Sequence, residues 1–214
     1  VSYGAPTYTV QDVFSRAMRT FGDESGVQLE TTDLLRWIND GQRDIVQRES
    51  ILKAKSSVMS TAGVASYSWP AENILSIDSL HYDGQKIANM SFAQAEQDVI
   101  GDQPSNTADQ PIIWYEWAGQ FTFYPIPETS KQITIYFTKA PAAVTAPTDL
   151  LSIPDRYFNS LLQYVLQQAY EMDEDWQASD AKSKQYNESL AILSDGERTA
   201  QNMTYGTITE IWPY

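Results

Sequence analysis

The chain has 214 residues, 42% of them hydrophobic and 12% aromatic, enough to bury a sizeable core and too apolar for a disordered chain. Its 28 acidic residues against 14 basic leave a formal charge of −14, which argues against a surface that wraps nucleic acid, because such surfaces need Lys and Arg. Cysteine is absent and histidine occurs once, so disulfides, thiol chemistry and zinc sites built on Cys or several His are excluded.

Residues 1–8 read as a loop or arm. Thr9 and Asp12 form a capping pair, Val10, Val13, Phe14, Ala17, Met18 and Phe21 share one helical face, and Gly22 suits the stop, which predicts a helix over about 9–22. Leu34, Leu35, Ile38, Gly41, Ile45, Val46 and Leu52 recur at helical spacing and predict a second helix over about 31–54. Gly41 costs this helix about 1 kcal/mol relative to Ala, so it marks either a close helix contact or simple tolerance.

From Ser56 the period changes to two. Val58, a turn at Thr61-Ala62-Gly63, and Ala65-Tyr67-Trp69 read as a small hairpin; Ile74 to Tyr82 is a strand that returns through Asp83-Gly84. Ser91 caps a short helix that stops at Gly101. Ile112–Trp117, a turn at Ala118-Gly119, and Gln120–Pro125 form another hairpin, with a further strand over Gln132–Thr138. Ala140 to Pro147 is a stiff Pro/Ala crossing. Tyr157, Phe158, Leu161, Leu162, Val165, Leu166, Ala169 and Tyr170 then define a helix over about 153–172. The acids Glu171, Asp173, Glu174 and Asp175 disfavour a helix C-terminus and favour an N-terminus, so a fresh helix is expected over 176–195, ending at Asp195-Gly196. The fold expected is α+β: a single domain built as an antiparallel bundle of about four main helices, with a β-rich insertion at 56–140 and an extended arm at 197–214. No apolar run is long enough to span a membrane.

Candidate chemistry is sparse. His81 lies beside Tyr82-Asp83-Gly84, where a turn explains it better than catalysis, and no Gly-X-Ser-X-Gly, Walker or dinucleotide pattern occurs. Carboxylate pairs carry little information in so acidic a chain. Glu116, flanked by Trp114 and Trp117, is the best candidate for a carbohydrate site, in which Trp114, Trp117 and Tyr124 would form a sugar-binding platform; a packed β-layer explains the same residues. Asp173-Glu174-Asp175 lacks the ligand spacing of a calcium loop. No enzyme activity, cofactor or metal is expected.

Trp114-Tyr115-Glu116-Trp117, Phe121-Thr122-Phe123-Tyr124-Pro125, Ile133-Thr134-Ile135-Tyr136-Phe137 and Ile153-Pro154-Asp155-Arg156-Tyr157, in this order, resemble the head-to-tail adaptor (connector) proteins of tailed bacteriophages. The helices carrying Tyr170 to Asp175, Tyr186 and Leu190 extend the resemblance over roughly 10–195. It implies a virion neck protein, made in the bacterial cytoplasm, forming a homo-oligomeric ring of typically twelve copies beneath the portal protein. On the same resemblance a tail or nozzle protein would sit below, and DNA would pass through the channel without specific binding. Ile208, Ile211, Trp212, Pro213 and Tyr214 would be the portal-docking arm, and Trp114, Trp117, Tyr124 and Tyr136 would meet a neighbouring subunit or the tail. A tail-completion or stopper protein one layer lower is the alternative within the virion.

Overall fold

The computed structural model describes residues 5–23, 25–70, 73–97 and 108–206, with side chains described as far as Asp195. Two helices come first, α1 (Val10–Phe21) and α2 (Thr31–Glu49), followed by strands β1 (Lys53–Met59), β2 (Ser66–Ser68), β3 (Ile74–Tyr82) and β4 (Gln85–Asn89). A one-turn α3 (Phe92–Ala95) precedes β5 (Ala108–Asp109), β6 (Ile113–Trp117), β7 (Gln120–Tyr124), β8 (Ile126–Pro127) and β9 (Gln132–Lys139). A 3-10 turn at Asp155–Tyr157 leads into α4 (Phe158–Met172) and α5 (Trp176–Gly206). The chain divides into two compact units, Val1–Ile51 with Pro141–Tyr214, and Leu52–Ala140.

In the helical unit, local chemistry sets most helix ends. Thr9 and Asp12 close a reciprocal capping box at the start of α1, and Gly22, at φ 93°, supplies the left-handed cap after it. Val10, Val13, Phe14 and Ala17 are the buried stripe between. α2 stops at Glu49 and not near residue 54, because Ser50 turns left-handed (φ 51°) and returns its N–H to the Val46 carbonyl. Leu52, which fits the helical period, therefore stands just before a strand. α4 is the central element: it packs on α1, α2 and α5, burying Leu161, Leu162, Val165, Leu166 and Ala169. Gly41 gives α2 its close approach to α4, since a Cβ there would lie 2.7 Å from Leu161 Cδ1 and 2.8 Å from Tyr164 Cδ1. α5 starts at Trp176 with Asp175 accepting the Ala178 N–H. It then runs past Asp195-Gly196 to Gly206: one glycine costs a helix only about 1 kcal/mol, and the following Glu, Arg, Ala, Gln and Met are good helix formers.

The other unit overturns the expected four-helix bundle with an insertion. Its framework is a curled seven-stranded mixed sheet in the order β1-β9-β3-β4-β6-β7-β2, so the fold is a large sheet accompanied by five helices. All neighbours are antiparallel except β4 and β6, which pair in parallel through Ala88–Ile113 and Asn89–Trp114. Two pairings depart from the sequence reading. β1 and β2 do not form a hairpin: the turn at Thr61-Ala62-Gly63 joins the two opposite edges of the sheet, β1 on β9 and β2 on β7. β9 likewise lies between β1 and β3, away from the β6–β7 hairpin. Leu80, Tyr82, Ile87, Trp114, Phe121, Phe123, Ile133, Ile135 and Phe137 make one core on one face of this sheet.

Candidate interaction surfaces

The β6–β7 hairpin is shaped by Ala118 (φ 51°) and Gly119 (φ 73°), a two-residue left-handed turn that matches strand twist. Its register sets Trp114 opposite Phe123 and Glu116 opposite Phe121 on the core face; Ile113–Tyr124, Tyr115–Thr122 and Trp117–Gln120 share the other. Trp114 and Trp117 therefore point to opposite faces. Trp114 is only 5% exposed and meets Trp69 edge-on at 6.0 Å. Trp117 is 59% exposed and stacks on Phe92 at 4.1 Å. A common sugar platform of Trp114, Trp117 and Tyr124 is not formed, because the first of the three belongs to the core. Tyr136 is exposed on β9, on the face away from the core, with the His81 ring against it at 5.1 Å.

Glu116 and the edge of Trp114 line a cleft of 570 Å³ with Asp78, Lys86, Ile87 and Phe92. Asp78 is held by the Lys53 ammonium at 2.7 Å, so its charge is already matched. His81 sits between Ser79 Oγ, 3.2 Å from Nε2, and the Gly84 carbonyl, 3.4 Å from Nδ1. The ring thus closes the Asp83-Gly84 turn, and the second nitrogen meets a carbonyl where a catalytic triad would need a carboxylate. Among the described residues no three Asp, Glu or His side chains gather as a metal site, and no helix is long and apolar enough to cross a membrane.

In the helical unit the α4–α5 turn projects Glu171, Met172, Asp173, Glu174, Asp175 and Trp176 into solvent, with Trp176 64% exposed. Beside it Arg36, Trp37 and Gln168 line an open cleft of 530 Å³. The sequence signals the acids of this tip, while nothing in it distinguishes Met172 and Trp176 from the buried apolar residues one turn away. Deeper in the unit, Tyr186 Oη donates to the Asp44 carboxylate, which also receives Arg48 Nε at 2.9 Å. Burial first, and then the bond to Asp44, push the Tyr186 phenol far above its ordinary value. Asp23 shows the reverse: the N–H groups of Leu29, Gln28 and Val27 hold its carboxyl below the usual carboxylate range, against the effect of desolvation.

Ile208, Ile211, Trp212, Pro213 and Tyr214 lie outside the described residues. A family model described as SU10 adaptor protein matches residues 8–208, nearly the whole chain. No curated protein matches it.

Proposed function

Since this chain belongs to the SU10 adaptor protein family, it is a structural protein of the phage-adaptor type, and we propose that it forms a ring beneath the portal that joins capsid to tail. The observation that carries this reading is the family match across residues 8–208. In this reading about twelve copies line the DNA exit channel, as the motif-level resemblance implies. The charge of −14 supports it, because a negative wall repels the phosphate backbone and lets DNA pass. Trp117, Tyr124 and Tyr136, on the sheet face away from the core, supply aromatic area for a neighbouring subunit or the tail. Ile208, Ile211, Trp212, Pro213 and Tyr214 reach the portal. The protein positions other proteins and performs no reaction.

Electron microscopy of the purified protein mixed with portal tests this directly. A closed ring on the outer end of the portal is expected; a ring that joins tail protein but ignores portal would move the protein to the stopper layer. Deleting residues 207–214 should abolish portal capture with an unchanged melting curve, and undiminished capture would remove the tail from the docking role.

A further inference from the structure

β1 is the first strand of the seven, paired along its whole length on one side only. The direction of its backbone groups follows from its two ends. The Leu52 carbonyl accepts from Lys139 N–H at 3.0 Å, and Ser60 N–H donates to the Lys131 carbonyl at 2.8 Å. In an antiparallel pair the inward-bonding residues alternate, so the even-numbered residues of β1 bond to β9. Lys53, Lys55, Ser57 and Met59 therefore direct both N–H and C=O away from the sheet, and all four are exposed. None of these groups has a backbone partner among the described residues.

Natural edge strands of this length are usually guarded by proline, a bulge or an edge lysine. β1 contains no proline and keeps continuous register through all seven residues. Lys53 does not guard the edge, since its ammonium reaches across the sheet to Asp78 (2.7 Å) and Thr138 Oγ1 (3.1 Å). Lys55, exposed and with no ion-pair partner among the described residues, is the guard that remains on this edge: its charge repels a basic strand and favours an acidic one. On the core face Ala54 and Val58 pack against the core but are only partly buried, so the apolar layer is incomplete at this edge. On the other face Met59 is 60% exposed.

We propose that the free edge of β1 binds an extended segment of a partner protein, which adds as an eighth strand and alternates apolar with acidic residues. Its apolar side chains cover Ala54 and Val58, its acidic ones approach Lys55, and the outward groups of Lys55 and Ser57 supply the main-chain bonds. Among the described strands a second copy of this chain offers no such segment: its opposite edge, β2, is only three residues, Ser-Tyr-Ser, without an acid, and its β1 edge carries lysines and no acid. The inference stands on β1 alone and does not require the ring.

The test uses the full chain and a synthetic peptide alternating valine and glutamate, with a valine–lysine peptide as control, followed by NMR. The amides of Lys55 and Ser57 should shift and become protected from exchange, those of Ala54 and Ser56, already bonded to β9, should gain no protection, and the lysine peptide should bind about tenfold more weakly. Ser57→Pro removes one outward N–H and the hydroxyl contact to Thr134 while leaving the backbone ladder to β9 intact, so it should fold with a small loss of melting temperature and lose the peptide. If that variant fails to fold, Lys55→Glu provides the second readout and should reverse the preference between the two peptides. Absence of any shift, equal responses at Ala54 and Lys55, or equal binding of both peptides overturns the proposal. So does protection of Lys55 that grows with protein concentration in the absence of peptide, which would place a second copy on the edge.

Discussion

Tyr186 on α5 donates its phenolic hydrogen to Asp44 on α2, and Arg48, one turn along α2, holds the same carboxylate while its guanidinium lies 5.4 Å over the Tyr186 ring. Three side chains thus join two helices that are far apart in sequence. Tyr186→Phe keeps the ring and its packing on Tyr164 and removes only the bond. Arg48 still neutralises Asp44, so the loss should be about 1–2 kcal/mol in urea unfolding. A loss below the error of that measurement would show that the hydroxyl adds nothing beyond packing.

The same bond makes a pH prediction. Tyr186 holds its proton more tightly folded than unfolded, where its value lies near 10.0. Below that pH both states are protonated and the contribution is complete. Above it the unfolded chain releases the proton first, so unfolding is favoured and stability falls as pH rises. Urea midpoints should therefore decline above about pH 10, and more steeply for the wild type than for Tyr186→Phe. Parallel declines would exclude Tyr186 as the source.

Asp23 gives the acid-side counterpart. Its carboxylate accepts from Val27, Gln28 and Leu29 N–H at 3.1, 2.8 and 2.9 Å and from Ser25 Oγ at 3.0 Å, organising the α1–α2 connection. Its folded value lies below the unfolded 3.8, so its contribution is present above 3.8 and is lost as pH falls through the folded value. Asp23→Ala should lower the melting temperature at neutral pH, and the gap from wild type should close as the solution is acidified. A gap that is constant with pH would assign the effect to packing.

What could be read from the sequence was local. Thr9, Asp12 and Gly22 announce both ends of α1 because a capping box and a left-handed glycine each act within a few residues. Asp83-Gly84 and Ala118-Gly119 mark two hairpin turns for the same reason. Strand order is set by non-local pairing. Lys53 meets Thr138, and no pattern near either residue records it. The turn at Thr61-Ala62-Gly63 misleads because a turn signal says where the chain bends and not which strand it next pairs with. At the candidate surface, alternation separates Trp114 from Trp117, but only the opposing Phe121, Phe123 and Trp69 decide which of the two is buried.

Gly41 tests the close approach of α2 and α4. Alanine at this position gains about 1 kcal/mol of helix propensity. Its Cβ would, however, stand 2.7 Å from a methyl of the fully buried Leu161 and 2.8 Å from the Tyr164 ring. Overpacking of this kind costs about 1–3 kcal/mol, so Gly41→Ala should be net destabilising, and Gly41→Val more so. A stabilised alanine variant would mean that the glycine is merely tolerated.

Trp114 and Trp117, three residues apart in one strand, should behave oppositely on truncation. Trp114→Ala empties a core site walled by Trp69 and the sheet's apolar face, and large aromatic deletions there cost about 3–5 kcal/mol. Trp117→Ala removes an exposed ring that, among the described residues, stacks on Phe92, a contact worth about 1 kcal/mol. Urea unfolding of both variants measures the contrast. If Trp117 serves as an assembly surface, its alanine variant should fold nearly as well as wild type yet form fewer rings with portal, while Trp114→Ala should lose stability first and assembly only as a consequence. Equal stability losses in the two variants would falsify the assignment of opposite faces.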